Sequence, residues 1–241
     1  DKIEEKFQAG LVSEADEESE QIIKKYLLDQ FPLDEFLGEE SIGDQTKWQP
    51  SAKGRWICDP LDGTTNYIHR FPIFAVNIGY EVQGVMQIAV TDLPMLGEVY
   101  TAVRGRGAFV NGRPIHVSAS TELRKSFLST GFFGENETVL KEQFAMFPDM
   151  VRSCRAIRRT GAAAYDLCQV ACGVFDGYWE RGLKPWDSAP GLLLVEEAGG
   201  MVTTFRGKKY SHYHNSLIAG NPAIAKLIQE KLGANIADTS D

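Results

Sequence analysis

Nowhere in the 241 residues is there an uninterrupted apolar run of about 18, the length a membrane-spanning helix needs, nor a basic segment leading into an apolar one. Neither a spanning helix nor a secretory signal is expected, and the cytoplasm is the expected compartment. Cysteine is scarce: Cys58, Cys154, Cys168 and Cys172 form no CxxC pair and lie in apolar or helical stretches, which suits reduced, buried thiols better than a disulfide framework. Histidine is as scarce, and no Cys or His nucleophile motif stands out; the one HxH pair, His212 and His214, is read as surface loop rather than as a metal site. Positive charge is also in deficit. A net charge of −8 argues against general affinity for a nucleic-acid backbone, and the one basic cluster, Arg152, Arg155, Arg158 and Arg159, is read as solvated positions on and beside a strand or turn. Internal repeats and low-complexity segments are missing too. There is no initiator Met: the chain opens at Asp1 in a charged stretch and reaches a helix start within about fifteen residues, so preceding residues are expected.

What remains is an ordinary globular composition, 43% hydrophobic and 24% charged, which excludes a disordered or fibrous chain. Ser13 and Asp16 precede Ile22, Ile23, Tyr26, Leu27 and Phe31, a helical stripe behind an N-cap that Pro32 ends. From Phe74 the pattern becomes alternation, with Phe74, Val76, Ile78 and Tyr80 on one face, then strand-like segments at 86–90, 98–103 and 108–110. These read as an antiparallel meander. Asn111-Gly112 supplies the positive φ that a type I′ hairpin turn demands, and Ile115 and Val117 are expected to resume the strand. Strands and helices then alternate: strand 127–130, helix 137–147, helix 162–172, strand 174–179, helix 188–198 closed by Gly199-Gly200, and strand 201–205. An α+β half, residues 1–118, is expected to precede an α/β half, residues 119–241, with a frayed tail at 234–241.

The chemistry concentrates in carboxylates. In Trp56-Ile57-Cys58-Asp59-Pro60-Leu61-Asp62-Gly63-Thr64-Thr65-Asn66, two acids three residues apart follow a short apolar strand and precede a Gly-Thr-Thr turn. A strand end holds Asp59, Pro60 restricts the turn, and Asp62 can reach the same point, giving the oxygen-rich surroundings that hard cations such as Mg²⁺ select. Gly63 permits close backbone approach, and the Gly63 and Thr64 amides at a helix start can meet a phosphate oxygen. The competing reading is a plain DxxDG turn with a threonine helix cap. Glu39 and Glu40, after apolar Phe36-Leu37, and Asp187, after Trp186, are further acids at element ends; Asp187 also reads as the N-cap of the 188–198 helix, with Pro190 in its first turn.

These segments together resemble the inositol monophosphatase family of lithium-sensitive, magnesium-dependent phosphatases across nearly the whole chain. The resemblance rests on Gly38-Glu39-Glu40-Ser41, on residues 56–66, and on Trp186-Asp187-Ser188-Ala189-Pro190-Gly191 followed by Glu197-Ala198-Gly199-Gly200, in the family's order. It implies a five-layer αβαβα sandwich, with an antiparallel sheet in the first half and a mixed one in the second, and a homodimer. It implies hydrolysis of a small phosphorylated metabolite, inositol 1-phosphate first. Fructose 1,6-bisphosphate, histidinol phosphate and adenosine 3′,5′-bisphosphate are alternatives, and so is a non-catalytic regulatory protein touching RNA or a transcription complex.

The same resemblance assigns roles. Glu39, Asp59 and the Leu61 carbonyl would hold one Mg²⁺, Asp59, Asp62 and Asp187 a second, and a third would lean on Glu39. Thr64, with Asp16 behind it, would orient the attacking water. Asp62, Gly63, Thr64, Ala163 and Glu180 would meet the substrate, with Gly161 and Ala162 passing beside it. The chain departs from the family at Pro190, where the usual residue is Ala, and at Lys184, where animal members carry His.

Overall fold

The computed structural model describes residues 3–6, 10–42, 49–132, 134 and 137–233. A short antiparallel pair, β1 (Ile3–Lys6) and β2 (Gly10–Ser13), leads into helix α1 (Glu14–Gln30). Then come β3 (Glu35–Gly38), β4 (Gly54–Asp62), the short helix α2 (Thr64–Ile68), β5 (Ala75–Val82), β6 (Val85–Leu93), β7 (Glu98–Val103), β8 (Ala108–Val110) and β9 (Arg113–Pro114). The rest comprises β10 (Phe127–Thr130), α3 (Glu137–Ser153), β11 (Ala156–Arg158), α4 (Ala163–Ala171), β12 (Gly177–Arg181), α5 (Pro185–Glu197), β13 (Met201–Thr203), β14 (Ser216–Gly220) and α6 (Pro222–Gly233). Strands β3 to β9 form a seven-stranded sheet in chain order; β11-β10-β12-β14-β13 form a five-stranded one. Helices α4 and α5 touch strands of both sheets, α1 lies on β3 and β4, and α3 and α6 pack with the outer face of the second sheet. The order of layers is αβαβα, a mixed α/β fold.

Alternation explains how the first sheet serves two helical layers. Phe36, Trp56 and Tyr80 pair across β3, β4 and β5 and face α1, where Phe31 and Trp56 stack 5.4 Å apart and Trp56 and Tyr80 4.7 Å apart. One residue along, Leu37, Ile57, Gly79, Ala89, Ala102 and Ala108 form a continuous cross-strand row on the inner face. Four of the six are glycine or alanine, which lets α5 settle close: a Cβ on Gly79 would stand 3.1 Å from Pro190 Cγ. Asn111 and Gly112 take φ of 48° and 75°, the expected hairpin turn.

Several sequence expectations change. The first sheet is not wholly antiparallel, because β3 joins β4 in parallel. Ile115 and Val117 lie beyond β9, which stops at Pro114. Helix α3 continues to Ser153 through Pro148 and takes in Arg152, while β12 starts three residues later than expected and ends at Arg181. Strand β14 and helix α6 were without a sequence reading. The α1 stripe divides: Leu27 is buried, but Ile22 and Tyr26 are 62% and 67% exposed, and the buried face instead carries Asp16 and Glu20. All four cysteines are free thiols, but only Cys58 and Cys168 are buried. The tail 234–241 lies outside the described residues. Among the described residues, no helix is long and apolar enough to cross a membrane.

His212 is the sharpest correction. It is not surface loop but 2% exposed, with Nε2 2.9 Å from Oε2 of the fully buried Glu81. The other Glu81 oxygen accepts the Tyr213 hydroxyl at 2.7 Å and lies 3.6 Å from an Arg55 nitrogen. Burial opposes the Glu81 charge, yet the His212 and Tyr213 hydrogen bonds and the Arg55 charge hold its pKa below the ordinary value. This clasp ties β4 and β5 of the first sheet to the connection between β13 and β14 of the second. Removing one member strands the others in a dry interior, so Glu81→Ala is expected to cost about 3 kcal/mol in urea unfolding at pH 7. A loss under about 1 kcal/mol would show that the clasp contributes little.

Candidate active site

Asp59 and Asp62 stand at the end of β4, and their odd spacing would ordinarily place them on opposite faces. A register shift corrects this: Asp59 pairs with Asn77 and Asp62 with Ala75, so two residues of β4, Pro60 and Leu61, oppose one of β5, Val76. The extra residue in Pro60-Leu61 returns Asp62 to the Asp59 side. Gly63 follows at φ 89°, a conformation that favours glycine, and its position allows Ala162 to approach; a Cβ there would lie 3.2 Å from Ala162 Cβ.

Each acid is aimed by a main-chain amide. Asp59 Oδ1 accepts Leu61 N–H at 3.0 Å, Asp62 Oδ2 accepts Ala164 N–H at 2.7 Å, and Asp187 Oδ2 accepts Lys184 N–H at 2.7 Å. Each of these bonds uses one carboxylate oxygen. Asp187 is therefore not the N-cap: α5 starts at Pro185, Lys184 is the N-cap residue, and the side chain of Asp187, third in the helix, reaches back to accept the Lys184 N–H. Pro190 falls beyond the first turn for the same reason. Glu39 follows β3 and donates its N–H to Cys58 O at 3.2 Å, while the next amide, Glu40, donates to Glu20 Oε2 at 2.7 Å. The buried Glu20 thus holds the turn that carries Glu39. Thr64 Oγ1 donates to Asp16 Oδ1 at 2.9 Å and stands 3.1 Å from the Leu61 carbonyl.

The second half supplies the opposite wall. Ala163 opens α4, and Asn66 Nδ2 donates to the Thr160 carbonyl at 2.9 Å, steadying the stretch that includes Gly161. Glu180 on β12 accepts the Tyr178 hydroxyl and lies against Gly131, where a Cβ would collide with its carboxylate.

Burial, followed by the repulsion of Glu39, lifts Asp59 and Asp187 well above the carboxylate range. Burial also lifts Asp62 to about 7, against the Ala164 amide, with Glu39 and Glu180 adding to the rise. Glu180 reaches about 7 by burial, opposed by the Tyr178 hydrogen bond and the Arg159 charge. Sequence reasoning missed Asp166, a further buried acid on α4 that burial lifts and that feels Glu180 and Asp62. It also missed Glu20 and Asn77, whose roles depend on contacts remote in sequence. Among the described residues Asp59, Asp62 and Asp187 make no ion pair, and no three His, Cys, Asp or Glu side chains form a ready metal cage. Hard oxygen donors, desolvated and mutually repelling, are a donor set that suits divalent cations.

The raised Glu180 pKa has a signed consequence. Without divalent metal, its contribution to stability is complete below its ordinary value of 4.5 and is lost as pH rises to about 7. The urea midpoint of the metal-free protein is expected to fall more steeply across that window than the midpoint of a Glu180→Gln variant. Parallel curves would refute the shift.

The inositol monophosphatase family matches residues 2–239. An inositol-1-monophosphatase of Rhizobium meliloti is 41% identical over 222 residues, spanning 92% of this chain and 82% of the relative. A protein described as Nus factor SuhB, of Pseudomonas aeruginosa, is 41% identical over 228 residues, spanning 94% and 84%. The crystal structure of extragenic suppressor protein suhB from Bartonella henselae superposes with a TM-score of 0.88 at 38% identity, covering 98% of this chain and 89% of that one. With the family matched almost end to end and the same fold in a relative of this identity, the chain belongs to the inositol monophosphatase family.

Proposed function

We propose that the protein hydrolyses a small phosphate monoester, with inositol 1-phosphate the first candidate, using two or three Mg²⁺ ions held by Glu39, Asp59, the Leu61 carbonyl, Asp62 and Asp187. The observation that carries this reading is the set of amide-aimed carboxylates, the buried Asp59 and Asp62 and the half-buried Asp187, beside the Thr64–Asp16 pair. When bound, the cations supply charge neutralisation for the phosphoryl oxygens and for the departing alkoxide.

The chain's own groups do the rest. Thr64 donates a hydrogen bond to Asp16, which leaves its hydroxyl oxygen free to accept one from a water; as that water attacks phosphorus and the bond to the alkoxide breaks, the water's proton passes to Thr64, the Thr64 proton passes to Asp16, and the alkoxide takes a proton from solvent. The Gly63 and Thr64 amides hold a phosphoryl oxygen in line. Glu180, opposite on β12 and near neutrality in pKa, meets the hydroxyls of a polyol, with Ala163 against its ring. The site draws Glu39, Asp59, Asp62 and Thr64 from residues 1–118 and Ala163, Glu180 and Asp187 from residues 119–241. We read these stretches as two domains and the active protein as a lithium-sensitive cytoplasmic homodimer.

A second reading is favoured by one observation, the similarity to proteins described as Nus factor SuhB. In it the fold serves as a regulatory partner, with the exposed Arg152, Arg155, Arg158 and Arg159 as the basic surface.

Thr64→Val, which keeps shape but removes the hydroxyl, is expected to lower kcat for inositol 1-phosphate by about 100-fold or more. Asp62→Asn is expected to abolish phosphate release while leaving any RNA binding intact. Release by Asp62→Asn at the wild-type rate would sink the phosphatase reading of this site. Magnesium at about 100 times its Kd is expected to stabilise the wild type by about 2.7 kcal/mol, and a thermal midpoint that stays flat through the titration would count against the metal site.

A further inference from the structure

Helix α5 contains Pro190 in its second turn. Proline has no N–H, and its ring crowds the carbonyl four residues earlier, so the Trp186 carbonyl lacks its regular helical donor. That carbonyl is buried and belongs to the residue next to Asp187. An unpartnered buried carbonyl at this point would be costly and would leave the first turn of α5 poorly held.

The replacement donor comes from the other sheet. Asn77 on β5 is fully buried, and its Nδ2 donates to the Trp186 carbonyl at 2.8 Å, with the Asp187 carbonyl at 3.4 Å. Its Oδ1 accepts the hydroxyl of Thr91, also fully buried, at 2.7 Å, which orients the amide with its NH₂ toward α5. Asn77 is also the residue paired with Asp59 across the β4–β5 ladder. One side chain therefore stands opposite Asp59 and grips the turn that carries Asp187.

We propose that Asn77 and Thr91 are positioning residues: they replace the hydrogen bond that Pro190 removes and thereby set the separation of Asp59 from Asp187. The metal part of this inference rests on the function proposed above; the helix part does not. The contact is side chain to backbone, so it constrains the turn whichever side chains α5 carries.

The test is a mutant cycle on the full chain, read by thermal unfolding without metal and by the magnesium concentration giving half the maximal thermal shift. Asn77→Ala is expected to lower the metal-free midpoint by about 2–8 °C. It is also expected to raise the half-saturating magnesium at least about threefold, since misplacement of one ligand weakens the site. Pro190→Ala restores an N–H for the Trp186 carbonyl, so the double variant Asn77→Ala/Pro190→Ala is expected to recover most of both losses. Thr91→Val, a milder change for the case in which Asn77→Ala does not fold, is expected to shift both readouts in the same direction by less.

Additive effects in the cycle would overturn the replacement of the missing bond. Rescue of the midpoint with unchanged magnesium dependence in every variant would overturn the positioning of Asp187. A wild type indifferent to magnesium would instead refute the proposed function, leaving the helix part to be judged on the metal-free midpoints.

Discussion

Mutual repulsion among desolvated carboxylates is the constraint around which this molecule is arranged. Asp59, Asp62, Asp187 and Glu180 are each lifted by burial, and each lies within reach of other acids. The three aspartates are held by something other than opposite charge, since among the described residues they make no ion pair. Main-chain amides answer this need: they supply a partial positive charge and satisfy a carboxylate oxygen without adding a side-chain cation. The amides of Leu61, Lys184 and Ala164 come from a bulge and two helix starts, places where N–H groups have no ladder partner.

Bringing the acid-bearing end of β4 near the start of α5 demands close approach of the elements between. The row Gly79, Ala89, Ala102 and Ala108 removes side-chain bulk from the inner face of the first sheet, so α5 can lie against it while α4 and α5 also reach the second sheet. The small residues are thus connected to the chemistry: without them the start of α5 would be held farther from the end of β4. Burial of α5 on both sides also explains its sequence, which is apolar round most of its circumference from Ser188 to Val195 and gives no amphipathic stripe.

Much of this was legible in residues close together in the chain. The β7, β8 and β10 limits, the Asn111-Gly112 turn and the clustering of acids at element ends follow from local chemistry, and the layered fold followed from the family resemblance. What local chemistry hid depends on partners remote in sequence. His212 gives no sign of burial until Glu81, 131 residues earlier, is seen to receive it. Residues 185–187 look like a loop because two prolines and an aspartate crowd Pro185 to Pro190, yet the helix starts there, with Asp187 accepting the Lys184 N–H and the remote Asn77 holding the Trp186 carbonyl. Helix α1 departs from its apolar stripe because Asp16 and Glu20 turn inward to meet Thr64 and the Glu40 amide. For His212 and α1 a tertiary hydrogen bond outweighs a preference of a few tenths of a kcal/mol per residue.

Hydrophobic burial brings the two sheets together but is non-directional, so it cannot by itself determine how far along its axis α5 rests. Polar contacts between the halves can, because their geometry tolerates little displacement. Asn77 grips the start of α5, the Ala164 amide at the start of α4 receives Asp62, and the Glu81 clasp joins the far end of β5 to the segment leading into β14. The first and last of these reach out from one strand, β5, whose first residue Ala75 pairs with Asp62 and whose Asn77 pairs with Asp59. Strand β5 is therefore the ruler of the site: it carries the ladder that brings two acids onto one face, and its side chains tie the opposing half in register with them.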